Sequence, residues 1–314
     1  MTPSPAAPAA PTAPAAPAAP PVRLRIAAHA KANLFLRVLS REVSGFHSIE
    51  TLLTLLELAD ELVVERVVEG VELEVQGADT GPAEENLAYR AAALMLQATG
   101  RRFGVRISLT KNIPVQAGLG GGSSDGAAAL HAVNAIAGNA VPQHEILQYA
   151  ARLGSDVPFF ASGAPLALAW GRGERLFRLP APPPAPALLV IPPAGVSTEH
   201  AYGRIDAARL HETRRGAVVL DADALTSWGG IGRLGGNDFE SVIFGDHPEL
   251  KTTFERVAET GPLLVRLSGS GSALIAIYRN EASREAAEQR LAGGGYRLIR
   301  TTTRAQAAPG PEAR

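Results

Sequence analysis

From Arg23 onward apolar residues fall on alternate positions: Leu24, Ile26, Ala28 and Ala30, then Leu34 and Leu36. A period of two predicts strands with one buried face. Lys31 and Asn33 interrupt this apolar stretch. Lys31 reads either as a lysine on an edge strand or as a positive charge held against a phosphate or a reacting hydroxyl. After Ser40 the run R-E-V-S-G-F-H predicts a turn, and S-I-E-T-L-L-T-L-L-E-L-A-D-E-L-V-V-E predicts the second half of a hairpin. Glu72 to Gln76 reads as a short strand. Asn86 is a fair N-cap for a helix that stops at Gly100, and Val105 to Thr110 alternates as a strand. Gln143 to Arg152 is a short helix. Leu166 to Leu179, around G-R-G-E-R, is a hairpin. Beyond the Pro-rich break Pro180 to Pro186, a strand restarts at Leu188 to Ile191. G-V-S-T-E-H-A-Y then leads into a helix, and Gly235 to Glu240 precedes a helix around Pro248 to Glu259. Strands at Leu263–Leu267 and Ala273–Tyr278 flank the turn S-G-S-G-S. A helix over Glu281–Leu291 and a strand Y-R-L-I-R-T-T follow. The second half reads as strands packed under helices, an α+β layer.

Composition sets outer limits. The chain has 314 residues, 30 Lys+Arg against 31 Asp+Glu and a formal net charge of -1. That length supports two domains, expected over 22–182 and 187–305, with the boundary at the Pro-rich break. The balanced charge and the lack of a basic run argue against nucleic acid as a partner. With no Cys, disulfides and thiolate metal sites are excluded. No apolar run reaches membrane-spanning length, so a soluble, cytoplasmic protein is expected. Residues 1–21 are nearly all Ala and Pro, without the charged and apolar regions of a secretory leader. That stretch, and residues 306–314, are expected to be disordered tails.

The chemistry begins between the strand at Val105–Thr110 and an Ala-rich helical run. Here Pro114 to Ser124 reads P-V-Q-A-G-L-G-G-G-S-S. Gly118, Gly120, Gly121 and Gly122 allow a backbone that side-chain-bearing residues resist. Ser123, Ser124 and Asp125 are helix-starting residues, and Gly138-Asn139 supplies a stop. A Gly-rich turn entering a helix aims backbone N–H groups and the positive end of the helix dipole at one place, which suits a phosphate. The same pattern also occurs as an ordinary turn. No G-K-[ST] closes the loop and the spacing misses G-x-G-x-x-G, so the P-loop and dinucleotide fingerprints both fail. Asp156, before Val157, Pro158, Phe159 and Phe160, reads either as a turn former or as a carboxylate partly desolvated by its apolar neighbours, and so a base. His47, after Gly45 and Phe46, reads as either a packed residue or a site residue.

Seven separate stretches together carry a resemblance. They are A-K-A-N-L-F-L (30–36), G-F-H-S-I-E-T (45–51), E-N-L-A-Y-R-A-A (85–92), P-x-x-x-G-L-G-G-G-S-S (114–124), G-S-D-V-P-F-F (154–160), N-D-F-E (237–240) and L-S-G-S-G-S-A (267–273). The chain resembles the GHMP small-molecule kinases. The resemblance implies a two-domain α+β fold, with an N-terminal domain like ribosomal protein S5 and a ferredoxin-like C-terminal domain. It implies ATP and Mg²⁺ as cofactors. The implied acceptor is 4-diphosphocytidyl-2-C-methyl-D-erythritol, with mevalonate, homoserine or a sugar as alternatives and a non-catalytic nucleotide binder as the rival class. By position, Lys31 and Asp156 would form the catalytic pair. Pro114, Val115, Gln116, Ala117, Gly118, Leu119, Gly120, Gly121, Gly122, Ser123 and Ser124 would wrap the ATP phosphates, with Asn86 near the nucleotide. His47 would read the cytosine edge, Phe46 would stack on the base and Tyr202 would be the second aromatic. Asn33 would lie beside the substrate and Ser124 would ligate the metal. Two departures stand out: Phe46 replaces a common Tyr, and Val115-Gln116-Ala117 replaces smaller residues, which predicts a stiffer first turn.

Overall fold

A computed structural model describes residues 22–100, 103–193, 195–209, 221–308 and 310–313. The Ala/Pro stretch 1–21 lies outside the described residues. The elements of the first half are β1 (Arg23–Arg41), β2 (His47–Val67), β3 (Val71–Gln76), α1 (Leu87–Thr99), β4 (Gly104–Thr110), α2 (Gly121–Ile136), α3 (Gln143–Leu153), α4 (Val157–Ser162), β5 (Leu166–Gly171) and β6 (Arg175–Leu179). The second half holds β7 (Pro186–Ile191), α5 (Thr198–Arg209), α6 (Trp228–Gly232), α7 (Asp238–Asp246), α8 (Pro248–Ala258), β8 (Leu264–Leu267), β9 (Leu274–Ile277), α9 (Glu281–Leu291), β10 (Arg297–Thr302) and β11 (Glu312–Ala313). The result is a two-domain α+β molecule.

β1 and β2 form one long antiparallel hairpin that organises both halves. The strands expected before and after Lys31 are one continuous strand. Its register slips between His29 and Lys31, and again between Asn33 and Phe35. Such bulges bend a strand and re-aim its side chains. Lys31 and Asn33 lie between these shifts, on the positions that alternate with Ala30, Ala32 and Leu34. β2 pairs β4 along its second half and β5 along its first, so one strand serves two branches of a sheet. The helices α1 to α4 cover that sheet with Ala88, Ala91, Met95, Leu130, Val133, Ile146 and Phe159.

The second sheet has the order β10-β7-β9-β8, all antiparallel. With its helices it follows the β-α-β-β-α-β pattern of a ferredoxin-like layer. β1 supplies all three apolar cores. Leu24, Ile26 and Ala28 enter the first core. Ala30, Ala32, Leu34 and Phe35 join Leu189, Trp228, Ile231 and Ile275 between the sheets. Leu36 and Val38 join Leu188, Phe239 and Tyr278 in the last. Burial of this shared middle core, at roughly 25 cal/mol per Å² of apolar surface, couples the halves.

Three expectations change. The C-terminal stretch is not a free tail throughout, because Glu312–Ala313 pairs with Arg25 and Leu24 of β1. That edge strand offers unpaired backbone groups which a short segment can satisfy. The helix after the Gly-rich loop starts at Gly121, with left-handed Gly120 (φ 72) at the cap, so Ser123, Ser124 and Asp125 lie within its first turns and do not cap it. A separate helix, α7, precedes α8. Asn237 and Glu240 form a capping box at its start, and Pro248 begins the next helix.

The halves meet most tightly at Gly118. Its φ is +79, and a Cβ there would sit 2.1 Å from the Ser268 carbonyl oxygen. Gly118→Ala therefore combines left-handed strain with a backbone clash. We expect it to cost about 2 kcal/mol or more and to lower the urea midpoint. A midpoint equal to wild type would show that the two backbones can separate freely here.

Candidate active site

Lys31 projects from the bulged part of β1 into the seam between the halves and is 4% exposed. Its Nζ donates to Asn33 Oδ1 at 2.6 Å and lies 3.8 Å from Asp156 Oδ2. Burial holds the ammonium below the ordinary lysine value, and Asp156 only partly offsets that. Asp156 stands at the start of α4 and makes no capping bond from its side chain. Its side chain is 35% exposed. Val157 and Phe159 are fully buried and Phe160 nearly so, but they pack into the core and leave the carboxylate open. Asp156 is thus partly buried, with its carboxylate turned to the cleft. The pair faces a cleft of 1430 Å³ that also holds Asn33, Phe46, His47, Arg172, Tyr202 and Ser270.

A second cleft, of 650 Å³, contains Pro114 through Ser123 together with Asn86, Lys111 and Asp125. Gly118 and Gly120 border both clefts. The loop thus forms the wall between two chambers, with Lys31 reaching that wall. The Lys31 backbone N–H donates to Leu119 O at 3.0 Å. A Cβ on Gly120 would meet Phe160 at 2.7 Å and Lys31 Cγ at 3.0 Å. The first N–H groups of α2 have no intrahelical acceptor, so they are available to an anion in the smaller chamber. Gln116 adopts φ 56, a left-handed conformation unusual for its type, so the stiffer first turn holds some strain. Asn86 does lie on this side. Its Oδ1 caps α1 by accepting from Ala88 N, and its Nδ2 donates to Thr80.

Ser124 is a correction. It is buried, and it borders a small cavity behind α2 with His29 and His131, not either chamber of the seam. One residue per 100° of helix turns Ser124 inward where Ser123 faces the cleft. Among the described residues no group of three or more His, Asp or Glu could hold a metal.

At the far end of the large cleft, the structure brings Phe46, His47 and Tyr202 together. His47 stacks on Tyr202 with centroids 4.5 Å apart, and its Nε2 bonds Asp206 Oδ1 at 2.8 Å. Burial, and secondarily the Asp156 charge, pushes the Tyr202 phenol up to about 12. Phe46 is 58% exposed, with the Arg172 guanidinium 4.2 Å from its ring centre. Arg172 is held in turn by Glu42 at 2.6 Å.

Some residues escaped the sequence reading. Lys111 is buried between Asp60 and Asp125, which lies 2.7 Å away. Burial opposes its charge, but the two carboxylates outweigh this and raise its affinity for the proton. Burial likewise pushes Asp125 up to about 7. Asp60 Oδ1 accepts from the Asn112 and Ile113 backbone and so anchors the entry to the loop. The turn S-G-S-G-S was visible only as a turn. In the structure Ser268 Oγ donates to Gly118 O and the Gly269 N–H donates to Asn33 Oδ1. Asp206 carried no sequence signal, since it joins His47 only across the seam.

Comparison with known proteins follows this geometry. Residues 86–164 match the model of the GHMP kinases N terminal domain, and residues 222–297 that of the GHMP kinases C terminal domain. A 4-diphosphocytidyl-2-C-methyl-D-erythritol kinase of Pelotomaculum thermopropionicum is 39% identical over 262 residues, covering 83% of this chain and 91% of its own length. The protein of the same name from Geobacillus kaustophilus is 36% identical, covering 83% and 90%. A crystal structure of 4-(cytidine 5'-diphospho)-2C-methyl-D-erythritol kinase superposes with a TM-score of 0.75 at 38% identity, covering 88% of this chain and 98% of its own. Homoserine kinase of Cytophaga hutchinsonii, at 18% identity and a TM-score of 0.65, shares the fold. The chain belongs to the GHMP kinase family and is a small-molecule kinase.

Proposed function

We propose that this kinase transfers the γ-phosphoryl group of ATP to the 2-hydroxyl of 4-diphosphocytidyl-2-C-methyl-D-erythritol, a step of the non-mevalonate route to isoprenoid precursors. The observation that carries the reading is the Lys31–Asp156 pair, 3.8 Å apart, at the wall shared by a phosphate-loop chamber and a larger cleft. The names of the most similar relatives support the choice of acceptor. We assign the nucleotide to the domain spanning 22–182, and part of the acceptor site, through Tyr202, to the domain spanning 187–305. Both substrates are highly charged and water-soluble, so the proposed setting is the cytoplasm.

In this reading ATP lies in the smaller chamber, with its phosphates along Pro114 to Ser123 and its base on the Asn86 side. The acceptor enters the large cleft with its cytosine among Phe46, His47 and Tyr202. Asp156 Oδ2 accepts the proton of the attacking hydroxyl as that oxygen bonds to the γ-phosphorus and the bond to ADP breaks. Lys31 holds the two reactants in line and meets the charge on the transferring group. The transition state is loose, so positioning and charge neutralisation dominate. Mg²⁺ commonly binds through one or two carboxylates plus substrate phosphates. The Ser123 hydroxyl and the unpartnered Asp125 Oδ1, from residues that both line the smaller chamber, fit such a minimal donor set. When bound, the ion neutralises phosphate charge.

The direct test is ADP release with Mg²⁺-ATP and 4-diphosphocytidyl-2-C-methyl-D-erythritol, with mevalonate, homoserine and galactose in parallel. Turnover confined to the cytidyl acceptor supports the reading, whereas activity on another alcohol alone discards the roles of Phe46 and His47. Asp156→Asn should lower turnover about 10²-fold or more while ATP affinity is kept; near-normal turnover would remove Asp156 as the base. His47→Ala should raise KM for the cytidyl acceptor with KM for ATP unchanged. An equal rise for both substrates would make His47 a packing residue.

A further inference from the structure

Lys31 does not orient itself; it is held by an amide whose direction is set by a third, buried residue. Asn33 Oδ1 accepts from the Lys31 ammonium at 2.6 Å and from the Gly269 N–H at 2.8 Å. Neither partner can act as an acceptor, so the oxygen of the amide must face them. On the other side, Asn33 Nδ2 lies 2.8 Å from Thr51 Oγ1. Thr51 has one hydroxyl proton, and it goes to Phe35 O at 2.6 Å. The hydroxyl therefore presents a lone pair to Asn33, and only the NH₂ end fits there. Proton accounting thus sets the amide direction from both ends. Thr51 is 1% exposed; it borders the large cleft beside Asn33 but not the smaller chamber.

We propose that Thr51 is a positioning residue for phosphoryl transfer. It locks the Asn33 amide so that a single oxygen holds the Lys31 ammonium and, through Gly269, the Gly/Ser turn of the second domain. Without that lock Asn33 Nδ2 loses its acceptor, and the amide can twist so that its oxygen no longer holds a fixed place against Lys31 and Gly269. Lys31 then loses its fixed direction toward the wall between the chambers, and the turn loses its tie to β1. The charged group facing Lys31 is Asp156, at 3.8 Å, too far to replace the 2.6 Å bond. The proposal rests on the kinase reading given above.

The test uses the whole enzyme carrying Thr51→Val, Thr51→Cys or Thr51→Ser. Thr51→Val should lower kcat about 10-fold or more, the scale of one hydrogen bond to a charged group, with KM for both substrates little changed. The alkaline limb of the kcat profile should move to lower pH, because a loosened Asn33 oxygen stabilises the charged ammonium less. Thr51→Ser, which keeps both hydrogen bonds, should restore both properties. Thr51→Cys, a weak donor and acceptor in a similar volume, should resemble Val and serves if Thr51→Val does not fold. In parallel, ¹⁵N NMR of the Asn33 side-chain amide should show slow hydrogen exchange in wild type and Thr51→Ser but not in Thr51→Val or Thr51→Cys. Wild-type kcat and alkaline limb in Thr51→Val or Thr51→Cys would reduce Thr51 to packing. Fast exchange of the Asn33 amide in wild-type enzyme would overturn the lock outright. Absence of wild-type turnover on the cytidyl acceptor, with the protected amide intact, would instead overturn the assigned reaction and leave the lock standing.

Discussion

A lysine charge buried in the seam between two domains is expensive unless its donors find acceptors. Much of the site exists to hold Lys31 under that constraint. Lys31 and Asn33 occupy β1 positions opposite the apolar alternation, between two shifts in the β1–β2 register. The Asn33 oxygen takes one ammonium proton, and Asp156 stands within electrostatic reach across the cleft. Because burial disfavours the charge while no partner fully neutralises it, the ammonium remains available to a developing phosphoryl charge. A fully paired lysine would be more stable and less useful.

Lys111 shows the contrast within the same molecule. It is also buried, but it lies between two carboxylates, Asp60 and Asp125, and its charge is spent on structure. Asp60 in turn gathers the backbone N–H groups of Asn112 and Ile113. The loop therefore leaves β4 from a fixed post. At its other end the loop is pinned by the second domain, through Ser268 to Gly118 and through the Ala273 N–H to Ala117 O. A phosphate loop needs freedom in its N–H directions but not in its position, and these two anchors supply the position.

The same interdomain contact explains why the site divides into two chambers. Gly118 and Ser268 approach so closely that no Cβ fits between them. The loop thus becomes a partition, with a nucleotide-sized space on one side and an acceptor-sized space on the other. In the proposed reading, transfer across this partition would bring two large anionic substrates into line without placing them in one pocket.

Much of this was legible in the chain itself. Alternation located the β1–β2 hairpin, Asn86 and Gly100 bounded α1, and the glycines announced the loop, because such signals arise from local backbone sterics and from the burial of one face. Lys31, Asp156, Phe46 and His47 were named before the structure brought them to one cleft, since each lies in a stretch that resembles the family, and Tyr202 was named as the second aromatic that the resemblance implies. What the sequence misjudged depended on distant partners. Ser124 faces inward because of the rotation of α2 about a cap at Gly120. The C-terminal segment finds the free edge of β1. Asp206, Arg172 and the hydrogen bonds that join Thr51, Asn33 and Lys31 had no local signature. The amino-acid order by itself determined the elements and the Gly-rich loop, because local sterics and burial patterns decide those, while Lys31 and Asp156 were paired only through the resemblance. Only the tertiary structure decided which buried charge is closely paired and which is only partly offset, because that depends on groups brought together from far apart in the chain.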